Sequence, residues 1–340
     1  KDTTTDSQKT KNLFSLVILL AGLLAGSLFV DFVQLALGRG FSNNAVTKYN
    51  LLETEGKTWV AYTDPKVTVQ VVTDKNCEAC DPSEALVWLR RVIPTIEATP
   101  IESNSDLGKL LIERFQILSL PAFIFSKSVV NTDFYDQASS LFDAESERYF
   151  FNMSAIGLSA GKYITSPMIK DTDIVIGAKD APVKIVEYSD FQCQYCRIFQ
   201  FDMNKILTEY AGKVVFVYKH LPLSTSHPQA ENAALAASCA NEQGKFQAYA
   251  DLLFTKQEEW GKTTGTGRFK EYAWRFGMNG QEFAKCLDTK KYQEKVNADK
   301  EEAEKFSVQG TPGTFINNTF LPGAVSLEVL KQTIDAALAQ

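Results

Sequence analysis

The sequence predicts an α/β protein in which one plan is used twice behind an apolar amino-terminal segment. Three observations carry this. Two Cys-x-x-Cys pairs, Cys77/Cys80 and Cys193/Cys196, each follow an apolar, β-branched run and precede a stretch of helical periodicity. Each pair is answered downstream by a proline that opens an apolar strand, in Ser119-Leu120-Pro121-Ala122-Phe123-Ile124-Phe125 and in Gly310-Thr311-Pro312-Gly313-Thr314-Phe315-Ile316. The stretch between Cys196 and Pro312 is almost wholly helix-like and has no counterpart in the first copy.

From the amino end, residues 1–12 are polar, and Lys9 and Lys11 stand before an uncharged apolar run from Leu13 to Val30. At about 1.5 Å per residue this run reaches roughly 27 Å, enough to cross a bilayer core. We expect a transmembrane signal anchor over 13–37 with a cytoplasmic tail at 1–12. The rival is a cleaved signal peptide, whose apolar region is usually only about 7 to 15 residues. The two lysines place the amino end inside by the positive-inside rule, so the bulk of the chain lies outside the cytoplasm. Gly22 and Gly26 form a GxxxG pair of the kind that packs membrane helices, although small residues are common in such segments.

After a spacer, a strand is expected at Thr58–Tyr62 and an alternating β run at Val67–Val72, which leads into Cys77 and Cys80. Helices are expected from Pro82 to Ile93 and from Leu107 to Phe115, and then the strand opened by Pro121. Gly161 to Asp180, with Ser166-Pro167 and Gly177-Ala178-Lys179-Asp180, has the turn chemistry of a linker. The second copy starts with the run Val183 to Tyr188. Helix-like segments follow at Gln229–Ala240, Lys245–Phe254, Phe269–Phe276, Gln281–Leu287 and Tyr292–Phe306.

The pair at Cys193 and Cys196 is the stronger chemical signal. It sits where a strand turns into a helix, so unpaired N–H groups and the helix dipole favour an anion at the first thiol. The second thiol, one turn on, can close a disulfide back onto it. Haem attachment needs a histidine after the second cysteine, and Arg197 stands there. Zinc needs a second ligand pair at short range, and none follows; a zinc site shared by Cys77, Cys80, Cys193 and Cys196 is the one metal alternative. His220 and His227, the two histidines, lack a second His or acid at metal spacing and read as structural.

With Val183–Cys196, Gly310–Ile316 and the closing Leu321-Pro322-Gly323-Ala324, the chain from about Thr165 to Gln340 resembles the DsbA-like thioredoxin-fold thiol-disulfide oxidoreductases. The first copy resembles a compact thioredoxin-like domain. The resemblance implies two thioredoxin-like domains in tandem, at 58–160 and 181–340, joined by a linker at 161–180, the second domain carrying a helical insertion at about 224–306. It also implies cis prolines at Pro121 and Pro312, facing their dithiols. Thr311 would offer its backbone to an extended substrate, and Glu187, six residues before Cys193, would be a buried acid that passes protons to and from Cys196. An exposed strand carboxylate is the alternative for Glu187.

Cys193 is then the nucleophile at the exposed helix end, Cys196 the resolving thiol, and Arg197 a positive charge favouring the Cys193 thiolate. Two departures bear on redox potential. Gln194 stands where the family often has proline, and Gly313 loosens the strand entry after Pro312.

Around Cys77 the acid is missing, because Val71 takes its place, and Glu78, Asp81 and Glu84 oppose a thiolate. Cys77 and Cys80 are either a second redox pair or a static disulfide in a domain kept for binding. Cys239 and Cys286 lie on two insertion helices beside Leu235 and Phe283 and are expected to form a structural disulfide, two buried free thiols being the alternative.

The net charge of −6 argues against nucleic acid as a partner. Six cysteines fit an oxidising compartment, and no cofactor or metal is required. The implied function is a membrane-anchored, extracytoplasmic oxidoreductase that forms disulfides in cysteine-containing exported proteins and is reoxidised by a membrane thiol oxidase. A disulfide isomerase or reductase, or a non-catalytic peptide-binding module with static disulfides, uses the same parts.

Overall fold

The structure is a computed structural model that describes residues 49–54, 57–62, 65–145, 147–151 and 160–339. The expected anchor at 13–37, its tail and the Gly22/Gly26 pair lie outside these residues. Among the described residues no helix is long and apolar enough to cross a membrane. The fold is mixed α/β with thioredoxin-like sheets in two regions. By contacts the chain divides into two units. One comprises the described residues up to Val71 with Pro82–Pro100 and Phe123–Phe151; the other comprises Val72–Asp81, Ile101–Ala122 and the chain from residue 160 on. The stretch bearing Cys77 and Cys80 and the strand ending before Pro121 therefore group with the second unit.

In chain order the first region holds β1 (Tyr49–Thr54), β2 (Lys57–Tyr62), β3 (Val67–Thr73), α1 (Ser83–Val92), β4 (Ile96–Glu102) and α2 (Asp106–Arg114). It continues with β5 (Ser119–Leu120), β6 (Ala122–Ser126), α3 (Asp133–Ala138), β7 (Phe142–Glu145) and β8 (Arg148–Phe151). β1 and β2 form an antiparallel hairpin, and a five-stranded sheet runs β4-β3-β6-β8-β7. In the first unit, Trp88, Phe125, Phe134 and Phe142 gather around Phe151, with Phe142 and Phe151 centred 4.9 Å apart. Such edge and tilted aromatic pairs add to the area they bury. Ser105 caps α2 by accepting from the Gly108 N–H at 3.0 Å, which satisfies one of the orphan donors of a helix start.

The second region has β9 (Lys162–Tyr163), β10 (Ile174–Ile176), β11 (Val183–Ser189), α4 (Gln194–Glu209) and β12 (Val214–His220). Six helices follow: α5 (Ala230–Glu242), α6 (Phe246–Thr255), α7 (Gln257–Trp260), α8 (Gly267–Arg275), α9 (Gly280–Asp288) and α10 (Gln293–Lys305). β13 (Gly313–Ile316), β14 (Thr319–Pro322) and α11 (Leu327–Leu338) close the chain. The sheet order is β10-β12-β11-β13-β14. β11 and β12 are parallel and joined through α4, whereas β13 returns antiparallel to β11 with Ile185 opposite Ile316. Every residue of β12 is buried, as expected of a strand covered on both faces.

The insertion between β12 and β13 is helical throughout, and its core is continuous with Phe191, Cys196 and Phe199 under the dithiol. Cys239 on α5 and Cys286 on α9 are joined by a disulfide. On the other sheet face Tyr188, Val217 and Phe315 pack with Phe306 and Tyr163. Also within this unit, Lys219 is wholly buried between Asp173 at 3.0 Å and Glu302 at 2.6 Å, and Lys295 bridges Asp173 and Asp299 at 2.9 and 2.5 Å. Buried charges persist only when paired in this way.

Candidate active site

β11 delivers the chain to the dithiol loop, and the loop is fastened at both ends. The Asp190 carboxylate accepts from the Gln192 N–H at 2.7 Å and the Leu223 N–H at 2.8 Å. Its Oδ2 also lies 2.7 Å from Nδ1 of His227, within hydrogen-bond distance. Phe191 is sandwiched between Tyr218 and Phe254, with ring centres 5.2 and 4.9 Å away. The buried Gln257 side chain donates to the carbonyls of Phe191 and Cys193, at 2.8 and 2.9 Å. Gln192 ties the loop to the insertion by donating to the Gly261 carbonyl and accepting from the Gln229 N–H.

Cys193 is the N-cap of α4, in extended conformation, and Cys196 lies one turn in. Both are free thiols. The Thr311–Pro312 peptide bond is cis, and the Thr311 carbonyl accepts from the Cys193 sulfur at 3.4 Å, so Cys193 and the segment before Pro312 are in contact. Cys193 is only 6% exposed, which corrects the expectation of an exposed helix end. It reaches solvent through a cleft of about 400 Å³, where it is joined by Tyr195, His227, Glu258 and Lys262. Around it lie the Thr311 carbonyl and, from the helical insertion, Gln257 and Gly261, which line the cleft and hydrogen-bond to the loop.

The two sulfurs are pushed apart in acidity. The Cys193 thiol is lowered to about 5, first by the hydrogen bond from Cys196, then by the Thr311 side chain and the N–H groups of Cys196 and Tyr195. The Thr311 hydroxyl is buried and makes no hydrogen bond of ordinary geometry. Cys196 is raised well above the ordinary thiol value, first by burial, then by its bond to Cys193 and by the charges of Cys193 and Glu187. Arg197, expected to favour the thiolate, instead faces Glu258 at 3.8 Å on the surface.

Glu187 is fully buried on β11, between Tyr218 and Thr314 on the neighbouring strands. It is not the exposed strand carboxylate of the alternative reading. Burial pushes its carboxyl up to about 7; the nearby Ser189 hydroxyl opposes this without making a hydrogen bond of ordinary geometry, and the Cys193 charge adds to the rise. Gly313 does not loosen the strand entry. A Cβ there would lie 2.5 Å from Cγ1 of Val308, so glycine lets Val308 pack against the strand immediately after Pro312.

Cys77 and Cys80 form a disulfide on a short 3-10 turn, and Cys80 is buried. The Leu120–Pro121 bond is cis as well. Among the described residues no cluster of three or more metal-ligating side chains occurs. His220 is buried, its imidazole lowered to about 3 by burial, and it contacts the Ser238 hydroxyl at 2.9 Å. His227 does have an acid partner, in Asp190, which lies 37 positions away and therefore gave no local spacing signal. Gln257 likewise carried no signal in the sequence.

A family model described as thioredoxin matches residues 170–336. Among curated proteins, the chain is similar to the Na(+)/H(+) antiporter NhaA 3 of Salinispora tropica, 35% identical over 173 residues that cover 51% of this chain and 26% of that protein. The NhaA 1 antiporter of Salinispora arenicola is 34% identical over 185 residues, 54% of this chain and 28% of that protein. The chain thus spans about a quarter of the length of these relatives. Among solved structures it is similar to oxidised BdbD from Bacillus subtilis, at 23% identity and a TM-score of 0.47, over 52% of this chain and 98% of that one. It is also similar to alpha-DsbA1 of Wolbachia pipientis, at 22% identity and a TM-score of 0.46, over 51% of this chain and 94% of that one.

The site has the parts that disulfide exchange requires. It holds a low-pKa thiol, a buried partner thiol one turn away, and a backbone segment in contact with the first sulfur.

Proposed function

We propose that this chain is a membrane-anchored, extracytoplasmic oxidoreductase that donates the Cys193–Cys196 disulfide to cysteine-containing exported proteins. The observation that carries the reading is the opposed acidity of the two thiols, Cys193 lowered to about 5 and Cys196 raised. A dithiol whose reduced form holds a stabilised thiolate gives up its disulfide readily, because the thiolate is a good leaving group.

In the forward reaction a substrate thiolate attacks Sγ of Cys193 in the oxidised pair. The Cys193–Cys196 bond breaks, a Cys193–substrate disulfide forms, and Cys196 leaves with the electron pair. Glu187, a carboxyl with a pKa raised to about 7, supplies the proton that Cys196 needs, since burial makes a free thiolate there unfavourable. The substrate's second thiolate then attacks its own bridged sulfur and releases Cys193 as the thiolate. Thr311 and Pro312 hold the substrate backbone beside Cys193. The anchor at 13–37 and a membrane thiol oxidase that takes the electrons complete the cycle. An isomerase or reductase would use the same site with the pair kept reduced; the low value at Cys193 favours the donor.

Equilibration of the chain with glutathione buffers tests the direction. A potential near that of the strongest natural oxidants, about −120 mV, is expected. A value near −270 mV, typical of reductants, would overturn the donor role.

A further inference from the structure

An extended segment runs beside the first dithiol. β9 pairs antiparallel with β5, Leu120 opposite Lys162 and Ser119 opposite Tyr163. The Gly161 N–H donates to the Leu120 carbonyl at 2.8 Å and the Ile164 N–H donates to the Leu118 carbonyl at 2.8 Å. Leu120 immediately precedes Pro121 and corresponds to Thr311 before Pro312, the backbone that the proposed function assigns to substrate. An extended segment is thus already seated on the edge where a substrate polypeptide would add as a strand.

The fit extends to the dithiol itself. A Cβ on Gly161 would lie 2.0 Å from the Ala79 carbonyl oxygen and 2.9 Å from the Cys80 nitrogen, so the segment passes in backbone contact with the turn between the two sulfurs. No other residue type fits there without displacing the turn or the segment. Lys162 then reaches Asp74 at 2.7 Å, just before that turn. Strand alternation points the next side chain the opposite way. Tyr163 is buried against Phe315, with ring centres 4.9 Å apart, and its hydroxyl donates to the Phe306 carbonyl at 2.7 Å.

We infer that the Leu118–Leu120 edge beside the Cys77–Cys80 disulfide is an extended-polypeptide docking site whose resident ligand is the chain's own Gly161–Ile164 segment. The site is closed in cis, and Cys77–Cys80 does not exchange with external polypeptides while the segment is seated. Because small thiols need no strand pairing, the closure selects against polypeptides alone. The inference rests on the proposed thioredoxin-type docking of substrate at the second site, and its test is arranged to fail separately.

The test uses the full chain with Cys193→Ser and Cys196→Ser, so that only the first pair reports. A peptide bearing two thiols is oxidised to its disulfide as Cys77–Cys80 is reduced to two thiols, and the rate is compared with that for dithiothreitol. Gly161→Val lifts the segment by steric clash; Lys162→Glu replaces the ion pair with Asp74 by repulsion and alters no buried position. The ratio of peptide to dithiothreitol rates is expected to rise about tenfold in Gly161→Val, the worth of one to two backbone hydrogen bonds, and severalfold in Lys162→Glu.

An unchanged ratio in either variant that retains a cooperative melt overturns the inference. Should Gly161→Val fail to fold, Lys162→Glu decides, together with amide exchange in the intact chain, where Gly161 and Ile164 are expected to be protected and unprotected exchange would overturn the docking. Exchange at Cys193 in a C77A/C80A chain reports on the proposed function independently. Its loss would sink that function and leave the comparison of rates at Cys77–Cys80 standing.

Discussion

Nδ1 of His227 and Oδ2 of Asp190 lie 2.7 Å apart, with the carboxylate at the end of β11 and the imidazole at the mouth of the cleft that holds Cys193. The Asp190 side chain is wholly buried and the His227 side chain about a quarter exposed, so the acid fixes the ring and leaves its other edge to the cleft. Asp190→Ala leaves two N–H donors and the ring without their acceptor and is expected to cost about 2 to 4 kcal/mol in chemical denaturation. Asp190→Asn should lose less, because one carbonyl oxygen remains. Equal losses for both variants would show that the charge, and not the hydrogen bonding, is what holds the loop.

The lowered thiol gives the reduced protein a pH signature. Cys193 has a folded value of about 5 against an ordinary value of 9.0, a depressed acid, so its thiolate stabilises the reduced fold in full above about pH 9. That contribution declines as pH falls and is gone below about pH 5. Reduced protein should therefore melt above oxidised protein at pH 7, with the gap narrowing toward pH 5. Iodoacetamide labelling of Cys193 should have its midpoint near pH 5, and Cys196→Ala should raise that midpoint by removing the main donor to the thiolate.

Glu187 titrates with the opposite sign. Its folded value of about 7 lies above the ordinary 4.5, so its contribution is present in full below about pH 4.5 and is lost as pH rises through about 7. At ~1.4 kcal/mol per pH step between 4.5 and about 7, Glu187→Gln should be more stable than the parent at pH 8 by on the order of 3 kcal/mol. The same variant should slow release of Cys196 from the Cys193–Cys196 disulfide when a substrate thiolate attacks Cys193. A variant with faster or unchanged release at pH 7 would remove Glu187 from the proton path.

Lys219 supplies a control away from the sulfurs. With its ammonium fully buried between Asp173 and Glu302, Lys219→Met takes one partner from each acid, leaving Asp173 to Lys295 and Glu302 to Lys170, and should destabilise by about 3 kcal/mol. Joint replacement of Lys219 and Glu302 by apolar residues should recover part of that loss. Urea unfolding of the single and double variants measures the coupling.

Gly313 offers a packing test. Gly313→Ala drives a methyl group to 2.5 Å from Val308, while Gly313→Ala with Val308→Ala gives it room. The single variant should be destabilised by about 1 to 3 kcal/mol and the double variant by less than the two changes added together.

The sequence disclosed those parts of the site that sit on local pattern. The dithiol at a strand-to-helix junction, the two prolines before apolar strands and the helices between Cys196 and Pro312 all follow from periodicity and turn chemistry over short windows. Hidden were contacts that depend on where the insertion folds back. Gln257 reaches the Cys193 carbonyl across 64 positions, and His227 reaches Asp190 across 37. For the same reason Cys193 looked exposed and Arg197 looked like its partner, since neither the covering helix nor Glu258 is a sequence neighbour. Gly313 was misread because a glycine needed for close approach and one that merely loosens a strand look alike until Val308 is placed beside it.

The Cys239–Cys286 bridge has a bearing on how the protein comes to maturity. It spans 47 positions within the insertion that contributes Gln257 and Gly261 to the dithiol loop. Closing a loop of that size is worth about 4 kcal/mol on the chain-entropy account. On the proposed function, a protein that donates disulfides has itself to acquire one before the insertion that holds the dithiol loop is fully braced.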